Sequence, residues 1–172
     1  LKDPDNFWLE QARRLDWIQL AQQCRVRDRS AVSVQTQHQP WIIDNQVKPG
    51  IACDSFPGPL GQVLTNLIQN SILHGFADRD HGRIEISASV DDKGMLNLVV
   101  SDDGVGMNTA TAVRIFEPFF TTRLGKGGSG LGLSICHRLT TTILAGELRA
   151  VSTAGSGSSF TLSIPLRTPG TV

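Results

Sequence analysis

No run in the sequence approaches the ~20 consecutive apolar residues of a membrane-spanning helix, and its first residues lack the basic-then-apolar order of a signal peptide. A soluble chain without direct membrane contact is expected, whatever anchors a parent protein elsewhere. Charge of one sign is also missing: 16 Lys plus Arg face 16 Asp plus Glu. Bulk electrostatics therefore offer nothing to nucleic acid, and any anion must be held by a local site. Cysteine is scarce. Cys24, Cys53 and Cys136 are far apart and odd in number, which disfavours a disulfide framework, leaves no C-x-x-C metal pair and suits a reducing, cytoplasmic setting. Internal repeats are absent, so 172 residues point to one ordinary domain with a single core.

Periodicity supplies the elements. Between Phe7 and Cys24 apolar residues recur three or four apart, as in an amphipathic helix. Ala31 to Gln37 alternates like a strand, with Trp41 to Ile43 as its hairpin partner across a polar turn. A Pro57-Gly58-Pro59 break precedes a helix from Leu60 to Leu73, whose Leu60, Val63, Leu64, Leu67, Ile68 and Ile72 form one apolar face. Arg83 to Val90 and Leu96 to Ser101 read as strands joined by an Asp91-to-Gly94 turn. From Asp102 to Ser129 the pattern loosens into a glycine-rich connection long enough to be functional. A helix from Leu131 to Leu144 follows, then strands over Glu147 to Ser152 and Ser159 to Pro165, and a frayed tail from Thr168.

Three clusters carry chemistry. Five glycines occupy the eight positions 125–132, including a literal G-x-G-x-x-G at Gly125, Gly127 and Gly130. The dinucleotide reading fails, because a strand must precede that fingerprint and Glu117-Pro118-Phe119-Phe120-Thr121-Thr122-Arg123 makes a poor one. Walker A fails because Gly127 follows Lys126 where Ser or Thr belongs. What remains is glycine backbone that lets N–H groups approach an anion, running into a helix whose positive end faces it; phosphate is the natural occupant. The second cluster, Asp102-Asp103-Gly104-Val105-Gly106, follows an apolar strand. It is either a plain Asp-Gly turn or a carboxylate placed to accept a hydrogen bond from an exocyclic amine such as adenine's. In the third, Asn66 and Asn70 stack one turn apart in an otherwise apolar helix, either exposed or bonded to neighbouring loops, or else offering carbonyl oxygens to a hard cation such as Mg²⁺. His74, one turn on, can face a phosphate.

Together these residues resemble the ATP-binding catalytic domain (HATPase_c, of the GHKL or Bergerat fold) of two-component sensor histidine kinases, in the superfamily shared with DNA gyrase, Hsp90 and MutL. Gln62 to His74 is similar to the N box and Asp102 to Gly106 to the G1 box. Ile115 to Thr122 resembles the F box, and Gly128 to Leu133 the G2 box. The match runs in order from about Ala31 to Leu166. It divides the chain into an N-terminal helix or linker (1–28), a catalytic domain (29–167) and a tail (168–172). The resemblance implies a two-layer α/β sandwich, a mixed and mostly antiparallel sheet backed by helices, with ATP between the helices and a mobile lid ending in Gly125 to Gly128. By matching position, Asn70 would chelate Mg²⁺, Asp102 would bind the adenine amine, and Gly104 and Gly106 would let the base sit close. Gly128, Ser129, Gly130, Leu131, Gly132 and Leu133 would line the phosphates. Phe119, Thr122 and Arg123 belong to the F box and lid, Arg123 as a phosphate contact, and Ser158 stands where a threonine supports adenine recognition.

Asn66 sets the expected reaction. Gyrase-like members carry a glutamate there to activate water; asparagine cannot act as a base, which favours phosphoryl transfer, with Asn66 and Arg123 in the catalytic set. Two features depart from the family. The lysine common three residues after the second N-box asparagine is Leu73, and none of His38, His74, His81 and His137 sits in an H box. The acceptor histidine is therefore expected upstream of this chain or on another protein, on a dimerisation and histidine-phosphotransfer domain of a homodimeric parent that feeds a response regulator. The alternative is an ATP-binding regulatory module of the same fold that transfers no phosphate; a serine kinase or an ATPase fits Asn66 less well. Asp5 to Trp17 bears a faint similarity to the opening of acetyl-CoA-synthetase-type enzymes, over too short a span to carry function.

Overall fold

The computed structural model describes residues 41–48, 50–123 and 128–170. The helix expected over Phe7 to Cys24, the strand expected over Ala31 to Gln37 and the lid glycines Gly125 to Gly127 lie outside the described residues.

Among the described residues, one five-stranded sheet has the order β1-β2-β3-β5-β4. Its strands are β1 (Trp41–Asn45), β2 (Gly82–Val90), β3 (Met95–Asp102), β4 (Glu147–Ser152) and β5 (Ser158–Pro165). The β1/β2 pair is parallel and the other three are antiparallel, so the sheet is mixed and mostly antiparallel as expected. Trp41 to Ile43 is correctly a strand, but it is a parallel neighbour of β2. A parallel pair needs a crossover, and the helix α1 (Pro57–Asn70) lies in it. This helix begins three residues before the expected start. Pro57 and Pro59 sit within its first turn, where a missing N–H costs nothing and the fixed φ already suits a helix. At its other end it widens into a π-helical turn, Ser71–Gly75, closed by Phe76 N–H donating to the Ser71 carbonyl at 2.9 Å.

The alternation of β3 and β5 explains the two layers. Leu96, Leu98 and Val100 face Phe160, Leu162 and Ile164 on the covered side, all 0% exposed, beneath α1 and the helix α3 (Gly132–Thr142). The opposite face carries Asn97, Ser101, Ser159 and Ser163, whose hydroxyls and amide bond across strands (Ser101 to Ser159 at 2.9 Å, Ser163 to Asn97 at 2.6 Å). Apolar in and polar out is the signature of an antiparallel sheet wetted on one side.

Two details were not expected. A short helix, α2 (Thr109–Ala112), interrupts the long glycine-rich connection, capped by the Asn108 carbonyl oxygen accepting from Thr111 N–H at 2.8 Å. Thr168 is not frayed: it is 1% exposed, donates its hydroxyl to Ser55 at 2.8 Å, and its N–H bonds the Asp54 carbonyl at 2.8 Å. The end of β5 is thereby stitched to the segment entering α1.

Leu98 lies in the middle of the central strand with no exposure. Leu98→Ala should cost about 2–5 kcal/mol of unfolding free energy, read as a lower urea midpoint at unchanged slope.

Candidate functional site

Between α1 with its π-turn, the loop after β3 and the start of α3 lies a cavity of about 480 Å³. Its wall includes Asn66, Asn70, His74, Asp102, Gly106, Thr122, Gly128, Ser129, Gly130, Gly132, Leu133 and Ser158. Residues from all four motif clusters thus meet around one space, although Asn66 and Leu133, the first and last of them, are 67 positions apart in the chain (133 − 66). Gly104, Phe119, Arg123 and Leu131 do not reach its wall.

Asp102 ends β3 and is 8% exposed. The Gly104 N–H donates to its Oδ1 at 2.9 Å and the Ser71 hydroxyl to its Oδ2 at 2.9 Å. Burial pushes its carboxyl above the ordinary value, while the Gly104 N–H, the Ser71 hydroxyl and the Ser158 N–H pull the other way. Ser71 continues α1 in ordinary helical geometry, its N–H reaching the Leu67 carbonyl, and its hydroxyl meets this carboxylate where the π-turn begins. Gly104 serves the site from behind. A Cβ there would lie 2.4 Å from the Gly75 carbonyl oxygen, and the next residue, Val105, donates its N–H to that carbonyl at 2.8 Å. Gly106 lines the cavity, but its φ of +64° and a Thr153 carbonyl 2.0 Å from any Cβ show that backbone packing already demands glycine.

Asn66 is engaged within the protein. Its Oδ1 accepts from Gln62 Nε2 at 2.9 Å and its Nδ2 donates to the Gly132 carbonyl at 3.3 Å, so it ties α1 to the first residue of α3. Asn70, one turn on, lines the cavity and makes no side-chain hydrogen bond to another described residue. Gly130, at φ +69°, lies so close to Phe119 that a Cβ would come 2.5 Å from its carbonyl carbon, and its own carbonyl accepts the Phe119 N–H at 2.8 Å. These contacts fix the glycine turn before α3, whose first residues, Gly132 and Leu133, present the helix N-terminus to the cavity.

The F-box segment sorts its two phenylalanines. Phe119 has φ +65° and is 74% exposed, whereas Phe120 turns into the cavity wall, with the Arg114 guanidinium 4.5 Å above its ring. The expectation at Phe119 therefore falls one residue away from the ring that lines the space, and no sequence signal separates neighbours whose backbone inverts between them. Arg123 points back to the π-turn: it donates to the Leu73 carbonyl at 2.9 Å and lies 3.7 Å from Asp78. Thr122 Oγ1 is 3.1 Å from His74 Nδ1. Burial, and then the Arg123 charge, hold His74 below the ordinary histidine value of 6.5, so its neutral form anchors this strap. Ser71 and Gln62 lie inside the motifs but carry no role assigned from the sequence, Phe120 takes the place in the wall expected of Phe119, and Met107, Asn108, Thr111 and Ala154 line the cavity from outside every motif.

Among the described residues no three His, Cys, Asp or Glu side chains gather into a metal cage, and no helix is long and apolar enough to cross a membrane.

A mixed sheet under two helices, with an acceptor-lined pocket at a strand end and a glycine turn leading into a helix N-terminus, defines a nucleotide-binding domain of the GHKL fold. The family model described as histidine kinase-, DNA gyrase B- and HSP90-like ATPase matches residues 57–168, and the chain belongs to that family. Its relatives are named sensor proteins and sensor histidine kinases. A putative sensor protein of Shewanella frigidimarina is 44% identical over 62% of this chain and 16% of its own length. The sensor protein TorS of Escherichia coli is 39% identical over 64% and 12%. The sensor histidine kinase RcsC of Escherichia coli is 37% identical over 67% and 12%, so the chain spans less than a fifth of each of these relatives. Among solved structures, full-length ShkA in complex with AMPPNP superposes with TM-score 0.63 at 29% identity, over 73% of this chain and 25% of that one. The catalytic domain of the histidine kinase ThkA shares the fold with TM-score 0.67 at 22% identity, over 92% and 93%. The chain is an ATP-binding catalytic domain of the sensor-histidine-kinase type.

A lowered histidine value carries a sign. The folded state resists protonation more than the unfolded chain does, so the stability His74 contributes is present above pH 6.5 and is lost as pH falls through its folded value. Urea midpoints at about pH 7.5 and about pH 5.5 should differ less in His74→Gln than in the unaltered protein.

Proposed function

We propose that this domain binds Mg-ATP in the cavity and passes its γ-phosphoryl to a histidine carried outside the chain, from which a response-regulator aspartate receives it. The observation that carries the reading is the convergence of Asp102, Asn70 and the Gly130-to-Leu133 helix start on one space, beside an Asn66 whose amide cannot accept a proton. Asp102 is a fixed acceptor suited to the adenine amine, and Ser158 lies beside it. Gly128 to Gly132 and the first turn of α3 offer backbone and dipole to the phosphates. Arg123 and His74 hold the strap that carries Thr122 against the cavity.

A magnesium ion fits the donor set. Asn70 offers a hard carbonyl oxygen with no competing bond among the described residues, and Mg²⁺ takes few protein ligands, completing its octahedron with water and phosphate oxygens. Bound there, it would neutralise phosphate charge. The protein's own part is positioning: Asn66 fixes α3 against α1, so the phosphate-facing helix start keeps its place relative to Asn70. With amide in place of carboxylate at position 66, nothing on α1 activates water, which favours transfer over hydrolysis.

Asn70→Ala and Asp102→Ala should each abolish calorimetric Mg-ATP binding while the far-ultraviolet circular dichroism is kept; unchanged affinity in both would remove the site assignment. Incubation with γ-labelled ATP and the acceptor domain of the parent protein should then place acid-labile label on a histidine. Tight binding with no label on that acceptor would instead identify a regulatory module that reads ATP without transferring phosphate.

A further inference from the structure

Asp102, Ser158 and Ser152 are direct cross-strand partners on β3, β5 and β4, so their side chains form one row on the covered side of the sheet, ending at the cavity. Ser152 is the member that no motif includes. Its hydroxyl oxygen accepts the Met107 N–H at 2.8 Å, donates its proton to the Gly157 carbonyl at 2.8 Å, and lies 3.0 Å from the Ser158 hydroxyl. A serine has one proton to give. Since that of Ser152 goes to Gly157, the Ser152–Ser158 contact has Ser158 as its donor. The Ser158 proton then points along the row, and what Ser158 turns to the cavity is lone pairs. On the other side of the row, Asp102 is a carboxylate that already receives the Gly104 N–H and the Ser71 hydroxyl, and it too offers only lone pairs.

We propose that Ser152 is a specificity-determining positioning residue: by consuming the Ser158 proton, it keeps this end of the cavity free of hydroxyl donors and so selects a base edge bearing an amine over one bearing a carbonyl. The proposal rests on the nucleotide reading of the cavity. It discriminates adenine from hypoxanthine or guanine, whose six-position oxygen would meet two acceptors with no proton between them. Sites whose buried polar groups are left unmatched reject an analogue far more strongly than sites that merely lose a contact. Without the Ser152 oxygen, Ser158 can rotate its proton into the cavity and donate to such a carbonyl.

The test compares ADP with IDP, in the presence of Mg²⁺, by calorimetry on the 172-residue chain. The unaltered protein should favour ADP. Ser152→Ala should shrink the ADP-to-IDP affinity ratio by about tenfold, chiefly through better IDP binding. Ser152→Thr, which keeps the hydroxyl, should hold the ratio near its original value. The double change Ser152→Ala with Ser158→Ala removes the liberated donor and should recover much of the preference. If Ser152→Ala weakens both nucleotides equally, or if the double variant discriminates no better than the single, Ser152 only braces the strand end and the proposal falls. Should Ser152→Ala fail to fold, Ser152→Thr still decides, because a collapsed ratio in that folded variant contradicts the proposal. Failure of the unaltered protein to bind either nucleotide would instead overturn the nucleotide reading itself.

Discussion

The buried carboxylate of Asp102 is the constraint around which this molecule is arranged. A carboxyl group 8% exposed is costly to charge unless donors meet it, and three do: the Ser71 hydroxyl and the N–H groups of Gly104 and Ser158. The Ser71 hydroxyl comes from the residue at which α1 passes into the π-turn Ser71–Gly75. The Gly104 N–H arrives because the strand stops at Asp102 and turns at once, with glycines at 75 and 104 letting two backbones pass closer than side chains would permit. Gly157 completes the enclosure: a Cβ there would lie 1.9 Å from the Asp102 carbonyl oxygen. Glycine at these positions therefore protects a charge as much as it makes room for a ligand.

That arrangement explains why the fold was legible in outline and the site only in part. Alternating patterns survive translation into structure when one face of a strand is buried, so β2, β3, β4 and β5 fall within a residue or so of where periodicity puts them. Trp41 to Ile43 illustrates the limit. Its apolar character marks a strand, but pairing is a long-range property, and its partner across the parallel ladder lies some forty residues away. The clustered motifs correctly name residues that meet, because a ligand-sized space has to be lined by groups of complementary chemistry. They say less about which atom faces it. Phe119 and Phe120 are chemically identical neighbours, and only the positive φ of the first decides that the second lines the cavity. Arg123 is likewise a cation within reach of phosphates by sequence, yet its guanidinium bonds the Leu73 carbonyl. Leu73 stands where the family commonly has lysine, so a cation from the neighbouring strap comes to the backbone of the very position that lacks one.

Asn66 shows how a single side chain can separate two chemistries by geometry as well as by type. Its amide is spanned by Gln62 on one side and the Gly132 carbonyl on the other, and the Cys136 thiol beside it, pushed up to about 11 by burial, supplies no base either. A glutamate in this place could not donate to Gly132 in its ionised form. It would repel that carbonyl and loosen the junction between α1 and α3, while gaining the capacity to accept a proton from water. The asparagine thus gives up base catalysis and gains a fixed distance between the helix bearing Asn70 and the helix whose N-terminus faces the cavity. If the domain transfers phosphate as proposed, positioning supplies most of the acceleration, and that exchange suits such a reaction.

The same logic extends along the sheet. Serine at 71, 152 and 158 contributes hydroxyls whose protons are each committed, to Asp102, to Gly157 and to Ser152 in turn. Small hydroxyls are suited to this because each can donate once and accept twice, so a chain of them transmits a direction. Replacing Ser152 by an apolar residue of similar size would leave the outline of the pocket unaltered, because Ser152 lies outside its wall. It would release the Ser158 proton to point elsewhere, and the pocket would change what it recognises before it changed its shape.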